Sequence, residues 1–217
     1  MSSTIIQYWD KINPPDEVQV LINSWRQESD FSHFLFNRES GGELIRLHFG
    51  EEVENTYNLC GIPAMQADYF RYCALFALGG CYLDADTQRL GSLSDLIKER
   101  ETGLLMKRQD RVANDFMFVM KPGHRLLQYC IETATSNIRS RISNNVWEVT
   151  GPGIMTSAYY GSLSKILFSG FDIMPVQQVR RTVGFRHNLK YKKSAIDWRI
   201  AQLSNSIYND EGRVVNE

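Results

Sequence analysis

The chain lacks several features that would fix its chemistry at once. It has no CxxC pair and no His/Cys spacing of a zinc site. Its four cysteines (Cys60, Cys73, Cys81 and Cys130) stand apart in apolar surroundings, which predicts reduced, buried thiols. No apolar run approaches the ~18 residues of a membrane-crossing helix. There is no basic excess either: the net charge is −1, which argues against wholesale nucleic-acid binding. The opening MSSTIIQYWDKINPPDE has neither a basic start nor a long apolar core, so it does not read as a signal peptide. No internal repeat or low-complexity segment is visible. What remains is ordinary globular material: 217 residues, 43% apolar and 23% charged, enough for one domain with a real core.

Against that plain background one stretch stands out, GIPAMQADYFRYCALFALGGCYLDADTQ from Gly61 to Gln88. Pro63 suits the first turn of a helix, where its missing N–H costs nothing. Ala67, Phe70, Ala74, Leu75 and Leu78 then recur at helical spacing, and no Gly or Pro interrupts the run from Ala64 to Leu78. Gly79 is placed to cap the helix and Gly80 to loosen the turn. Cys81-Tyr82-Leu83 reads as a short buried strand, and Asp84 and Asp86 follow at its exit with small Ala85 between them. Residues two apart in extended chain point to one side, so both carboxylates face one space. Such a pair repels itself unless a cation or several donors intervene, and hard oxygen ligands suit Mg²⁺ or Mn²⁺. On the helix, Asp68 and Arg71 share a face at i, i+3. They could grip sugar hydroxyls or simply pair with each other.

The joint pattern, A-x-D-x-x-R-Y on a helix followed by G-G-x-Y-x-D-x-D, resembles the signature of glycosyltransferase family 32. It is carried here by Ala67, Asp68, Arg71, Tyr72, Gly79, Gly80, Tyr82, Asp84 and Asp86. That family includes initiating mannosyltransferases, and the core of clostridial glucosylating toxins is related to it. The resemblance implies a GT-A-like α/β single domain over residues 1–204, with a Rossmann-like, mostly parallel central sheet flanked by helices. Residues 205–217 are then a polar C-terminal tail.

The rest of the chain is consistent with that fold. Thr4 to Trp9 is a β-branched and aromatic run ended by Asp10 and Pro14-Pro15, a first strand. The family opens on a strand ending in Q-x-W, matched by Gln7 and Trp9, although Ile6 stands where the family usually has His. Tyr8 or Trp9 is then a candidate to stack on the nucleotide base, the alternative being a core aromatic. Glu17 to Glu28 reads as an amphipathic helix with Val18, Leu21, Ile22 and Trp25 inward, and Phe31 to Phe36 as a second strand. Strand, helix, strand at this spacing predicts a βαβ unit, and ligands of such sheets bind beyond the carboxyl ends of strands, where Asp84 and Asp86 lie. Further on come a short helix capped by Ser92 or Ser94, strands over 103–106 and 114–119, a Lys121-Pro122-Gly123-His124 turn with His124 structural, and a helix over 125–141. By resemblance, Asn114 is a donor-sugar contact. WEVTGPGIMT, Trp147 to Thr156, is similar to the family's T-G-P segment, a rigid turn that could shape the acceptor pocket. A bare turn is the other reading.

From Arg180 to Lys193 the chain is basic, with no acidic residue. A solvated face, a lid over the donor diphosphate, and a patch steering an anionic lipid-linked acceptor are three readings of it. The family closes its site with a C-terminal His or Ser and a Trp, which makes His187 and Trp198 candidates, at a spacing unlike the usual one.

The expected chemistry is metal-dependent transfer of a sugar from a UDP- or GDP-sugar to an acceptor hydroxyl of a glycan, a lipid-linked glycan or a protein. By resemblance the anomeric configuration is retained. A Mn²⁺ or Mg²⁺ ion held by Asp86, with Asp84 touching metal-bound water, ribose or sugar, would offset charge on the leaving diphosphate. Asp68 and Arg71 would position the sugar. Two other classes compete. A catalytically silent nucleotide-sugar-binding subunit is one. The other is a haloacid-dehalogenase-type phosphatase, because YLDADT fits D-x-D-x-T. The expected setting is a bacterial cytoplasm, with peripheral membrane contact through residues 180–193.

Overall fold

The computed structural model describes residues 3–185, 188–193, 202 and 206–209. In chain order these form β1 (Ser3–Tyr8), α1 (Asp16–Trp25), β2 (Phe31–Phe36), α2 (Arg38–Phe49), α3 (Glu51–Asn58), α4 (Pro63–Leu78), β3 (Gly80–Leu83) and β4 (Thr87–Arg89). Then follow α5 (Leu93–Ile97), β5 (Gly103–Arg108), β6 (Arg111–Val119), α6 (Arg125–Ser140), α7 (Val146–Val149), α8 (Pro152–Tyr160), α9 (Ser164–Leu167), β7 (Phe171–Pro175), α10 (Val176–Val179) and β8 (Val183–Phe185). A 3₁₀ turn spans Lys190–Lys193.

The central sheet has the order β2-β1-β3-β6-β5-β7. β1 pairs in parallel with β2 and β3, and β5 with β7, whereas β6 runs antiparallel to both of its neighbours. Five strands therefore point one way and β6 alone is reversed, so the expected mostly parallel sheet flanked by helices is the observed one. The reversal matters for the site. It brings the start of β6, with Asn114 and Asp115, alongside the end of β3, where the motif begins; Leu83 faces Phe116 and the Asp84 amide donates to the Asp115 carbonyl at 3.1 Å.

Local chemistry accounts for α4 and its exit. Pro63 opens the helix and every residue from Met65 to Leu75 except Ala67 is buried, because the helix is sandwiched between the sheet and α2, α3 and α6. Gly79 and Gly80 take φ of +66° and +94°, and a Cβ on Gly80 would stand 2.6 Å from the Thr4 carbonyl oxygen. Only glycine lets the chain reverse this tightly and lie against β1. All four cysteines are free and buried.

Three expectations need correction. The segment from Trp147 to Thr156 is not a bare turn: Pro152 starts α8, and Gly151 joins it to α7. The stretch after the motif forms β4, which pairs with β8 in a separate two-stranded ribbon that alternation alone did not reveal, since three residues carry too little pattern. The boundary at Ser204 also falls too early. Ile207 is fully buried and Tyr208 bridges Cys60, with the Gly61 amide donating to the Ile207 carbonyl at 2.7 Å. Two apolar residues in a polar stretch suffice to dock it.

Candidate active site

The motif opens onto a cleft of about 420 Å³. Asp68, Arg71, Asp84, Asp86 and Asn114 all line it, so five of the residues singled out in the sequence meet in one place. They come from α4, from the exit of β3 and from β6. Arg71 is the hub. Its guanidinium lies 3.1 Å from Asp68 Oδ1 and 3.1 Å from Asp84 Oδ1, donates to the Asn114 carbonyl at 2.7 Å, and sits 4.6 Å above the Tyr82 ring. Asn114 Nδ2 donates to Asp68 Oδ1 at 2.9 Å and to the Tyr72 hydroxyl at 3.2 Å. Asp68 and Arg71 thus do pair, but as a buried pair within a network, unlike the exposed helix bridge that the spacing alone also allowed.

The T-G-P segment supports this network from below. Thr150 donates to Asp68 Oδ2 at 3.5 Å, and the Tyr72 hydroxyl donates to the Gly151 carbonyl at 3.2 Å. Burial pushes the Asp68 carboxyl up, and Arg71 pulls against it. Burial likewise raises Asp84, to about 7, with Arg71 opposing and Asp86, Asp115 and Asp68 adding to the rise. The Asp84 side chain still keeps 32% of its surface open.

Asp86 has a different environment. Its Oδ2 takes the Lys192 ammonium and the Tyr191 hydroxyl, the latter at 2.8 Å. Both belong to the 3₁₀ turn, whose Lys190 and Tyr191 amides donate to Glu17 at 2.9 and 3.0 Å. Tyr191 also meets Trp9 edge to face, with centroids 5.2 Å apart. Of the basic run, Lys192 therefore reaches the motif.

The two aromatic candidates at the end of β1 separate. Tyr8 is 4% exposed, packs on Phe70 and uses its hydroxyl on Tyr57 and Gln66, so it serves mainly in the core. Trp9 is half-buried at the cleft wall and offers it the more open ring, although Tyr8 lines the cleft as well. His124 caps α6 through Nδ1, 3.1 Å from the Leu126 amide, the structural role expected of it. His187 and Trp198 lie outside the described residues.

Sequence reasoning missed Asp115 and Arg108, which pair within the cleft. Nothing local in the sequence places Asp115 near the motif, because its nearness depends on strand register. Its Oδ1 is buried and has no hydrogen-bond partner. Together the cleft lining holds five carboxylates (Asp10, Asp68, Asp84, Asp86, Asp115) and four cations (Arg71, Arg108, Arg111, Lys192). No group of three or more His, Cys, Asp or Glu that could cage a metal is found among the described residues. Excess negative charge and hard oxygens nonetheless fit a divalent ion that takes its remaining ligands from substrate phosphate and water, the usual habit of Mg²⁺.

Residues 4–103 match the family described as glycosyltransferase sugar-binding region containing DXD motif. The chain is 28% identical over 173 residues to an initiation-specific alpha-1,6-mannosyltransferase of Schizosaccharomyces pombe, covering 65% of this chain and 44% of that one. A protein of the same name from Candida albicans is 24% identical over 184 residues, covering 67% and 48%. The chain thus spans about half the length of these fungal relatives. In fold it is similar to the PaToxG glycosyltransferase, with a TM-score of 0.55, 17% identity, and coverage of 94% of this chain and 85% of that one. Family and fold leave the phosphatase reading without support. The bacterial setting gains none from fungal relatives, and no helix among the described residues is long and apolar enough to cross a membrane.

Proposed function

We propose that the protein transfers a sugar from a nucleotide-diphosphate sugar to an acceptor hydroxyl in a divalent-ion-dependent reaction that retains the anomeric configuration. The observation that carries this reading is the convergence of Asp68, Arg71, Asn114 and Asp84 beside Asp86 in a single cleft. Buried acids and a guanidinium held at fixed distances are suited to reading sugar hydroxyls, because each unsatisfied partner penalises a wrong ligand. Trp9 is suited to the nucleobase. Asp86, with Asp84 through water, would hold the ion, which when bound supplies Lewis-acid stabilisation of the departing diphosphate.

Lys192 has a part in this scheme. Its ammonium neutralises Asp86 and must give way to, or share Asp86 with, an ion and diphosphate. Beside a bound diphosphate it would supply a second positive charge. The 3₁₀ turn around it, with Tyr191 against Trp9, would keep water from the anomeric carbon. The relatives named mannosyltransferases make a mannosyl donor the first to test.

Binding without catalysis remains a second reading, favoured by the ammonium already seated on Asp86. One experiment separates the two. A panel of UDP- and GDP-sugars is screened with and without Mn²⁺ for thermal stabilisation, which reports binding to the native state, and for release of nucleotide diphosphate. Mn²⁺-dependent stabilisation with nucleotide release supports transfer. Stabilisation without release supports the silent subunit, and neither response contradicts both.

A further inference from the structure

The cleft has two unlike halves. Its charged floor is the Asp68–Arg71–Asp84–Asn114 network. Beyond it lies an apolar shelf formed by Pro63, Ala64, Val146, Trp147 and Pro152. Small side chains on α4 leave the shelf open, and one large ring, Trp147, stands on it.

That ring is held in place. Asn145 caps α7 by accepting from the Trp147 amide at 3.1 Å, and Val146 beside it is buried. Gly153 packs so closely that a Cβ there would lie 2.8 and 2.9 Å from Trp147 Cε3 and Cζ3. Part of the indole thus lies on the Gly153 backbone, while the side chain remains only half-buried and lines the cleft. A large aromatic surface is thus fixed by a bare backbone and left partly open to the cleft.

The position of the shelf indicates its occupant. Trp9 stands at the end of β1 and the motif at the end of β3, whereas α7 and α8 pack beside β6 and α4. Thr150, three residues after Trp147, bonds to Asp68. The sugar-reading network therefore separates the two tryptophans. With the nucleoside at Trp9 and the donor sugar on the network, the next ring along the cleft is the acceptor's.

Resting on the transferase reading, we propose that Trp147 is the platform of an acceptor subsite, which takes the apolar C–H face of a pyranose ring of a carbohydrate acceptor. The donor does not touch it. Trp147 thereby sets acceptor affinity and leaves donor chemistry alone.

The test uses the full chain with GDP-mannose, Mn²⁺ and methyl α-mannoside as probes, in wild type, Trp147→Leu and Trp147→Phe. Leucine keeps apolar bulk over Gly153 and so guards the fold; phenylalanine restores a ring. Loss of the stacking face should raise the acceptor KM of Trp147→Leu by about tenfold. Trp147→Phe should stay within about threefold of wild type. GDP-mannose affinity by calorimetry and its acceptor-free hydrolysis should be unchanged in both. An unchanged acceptor KM in Trp147→Leu overturns the proposal, as does an equal loss of GDP-mannose affinity, which would make Trp147 a donor contact. Absence of turnover by the wild type with every UDP- and GDP-sugar of the panel sinks the transferase reading and this inference with it; where another donor of the panel is turned over, it replaces GDP-mannose as the probe. An active wild type with an indifferent Trp147→Leu sinks this inference alone.

Discussion

The two acids of the motif are two residues apart, yet they are held by unlike parts of the molecule. Asp84 is anchored from within: Arg71 reaches it from a helix that is buried almost all round, and Asp68, Asn114, Tyr72 and Thr150 fix Arg71 in turn. Asp86 is held from without, by Tyr191 and Lys192 of a single 3₁₀ turn tied to Glu17 and Trp9. On the proposed reading, the difference separates two tasks. A group that reads a sugar gains from rigidity. A group that receives an ion and a diphosphate, and then releases them, gains from a partner able to leave.

Breaking the inner anchor should have the largest effect. Arg71→Ala leaves Asp68 and Asp84 without their cation, and stranding buried charge costs about 3–5 kcal/mol. Urea denaturation should show a loss of that size together with loss of turnover. A fully stable Arg71→Ala would mean that the network is not the rigid half of the site.

Asp86→Ala should separate the two acids. Turnover should fall by about a thousandfold, the scale of losing a strong electrostatic contact to developing charge. The melting temperature should stay within about 3 °C of wild type, because only a peripheral turn loses its partner. A large drop in melting temperature would show that both acids are structural.

Lys192→Ala sharpens the outer half. Removing a competing ammonium worth about 0.5–1 kcal/mol should tighten Mn²⁺ binding about two- to fivefold by calorimetry. Weaker Mn²⁺ binding would show that Lys192 organises the site and does not compete for it.

The smallest effect concerns the sheet edge behind the motif. His33 Nε2 lies 2.8 Å from Gln7 Oε1, and Gln7 Nε2 donates to the Asp84 carbonyl at 3.3 Å. Burial, with Arg26 adding, lowers the His33 imidazole from 6.5 to about 4. Between those values the unfolded chain binds more protons than the folded one, so stability rises with pH across the window and is lost on acidification. Urea midpoints at pH 7 and pH 5 should therefore differ more for wild type than for His33→Gln. Equal differences would contradict the assignment.

Much of the inner half was legible in the sequence, because its signals are local. Pro63, the apolar spacing of α4, the glycine pair and the i, i+3 placement of Asp68 and Arg71 each follow from chain geometry within a few residues. The βαβ opening was legible for the same reason, and β2 falls on Phe31–Phe36 as expected. The outer half was not. Lys192 was one cation among several in a run with no internal reason to prefer it, and its link to Asp86 spans more than a hundred residues. Asp115 reaches the site only through the antiparallel register of β3 and β6, which composition does not specify. Tyr8 and Trp9 both line the cleft, and they are neighbours with equal claims until packing buries Tyr8 against Phe70 and leaves Trp9 half-buried.

The most direct measurement of the central claim is transfer of labelled sugar, from whichever UDP- or GDP-sugar of the panel is turned over, to a simple glycoside acceptor by wild type and Asp86→Ala, each assayed with Mn²⁺ and with EDTA. The account predicts product from the wild type with Mn²⁺ alone. Equal product from Asp86→Ala with Mn²⁺, or from the wild type in EDTA, would contradict it.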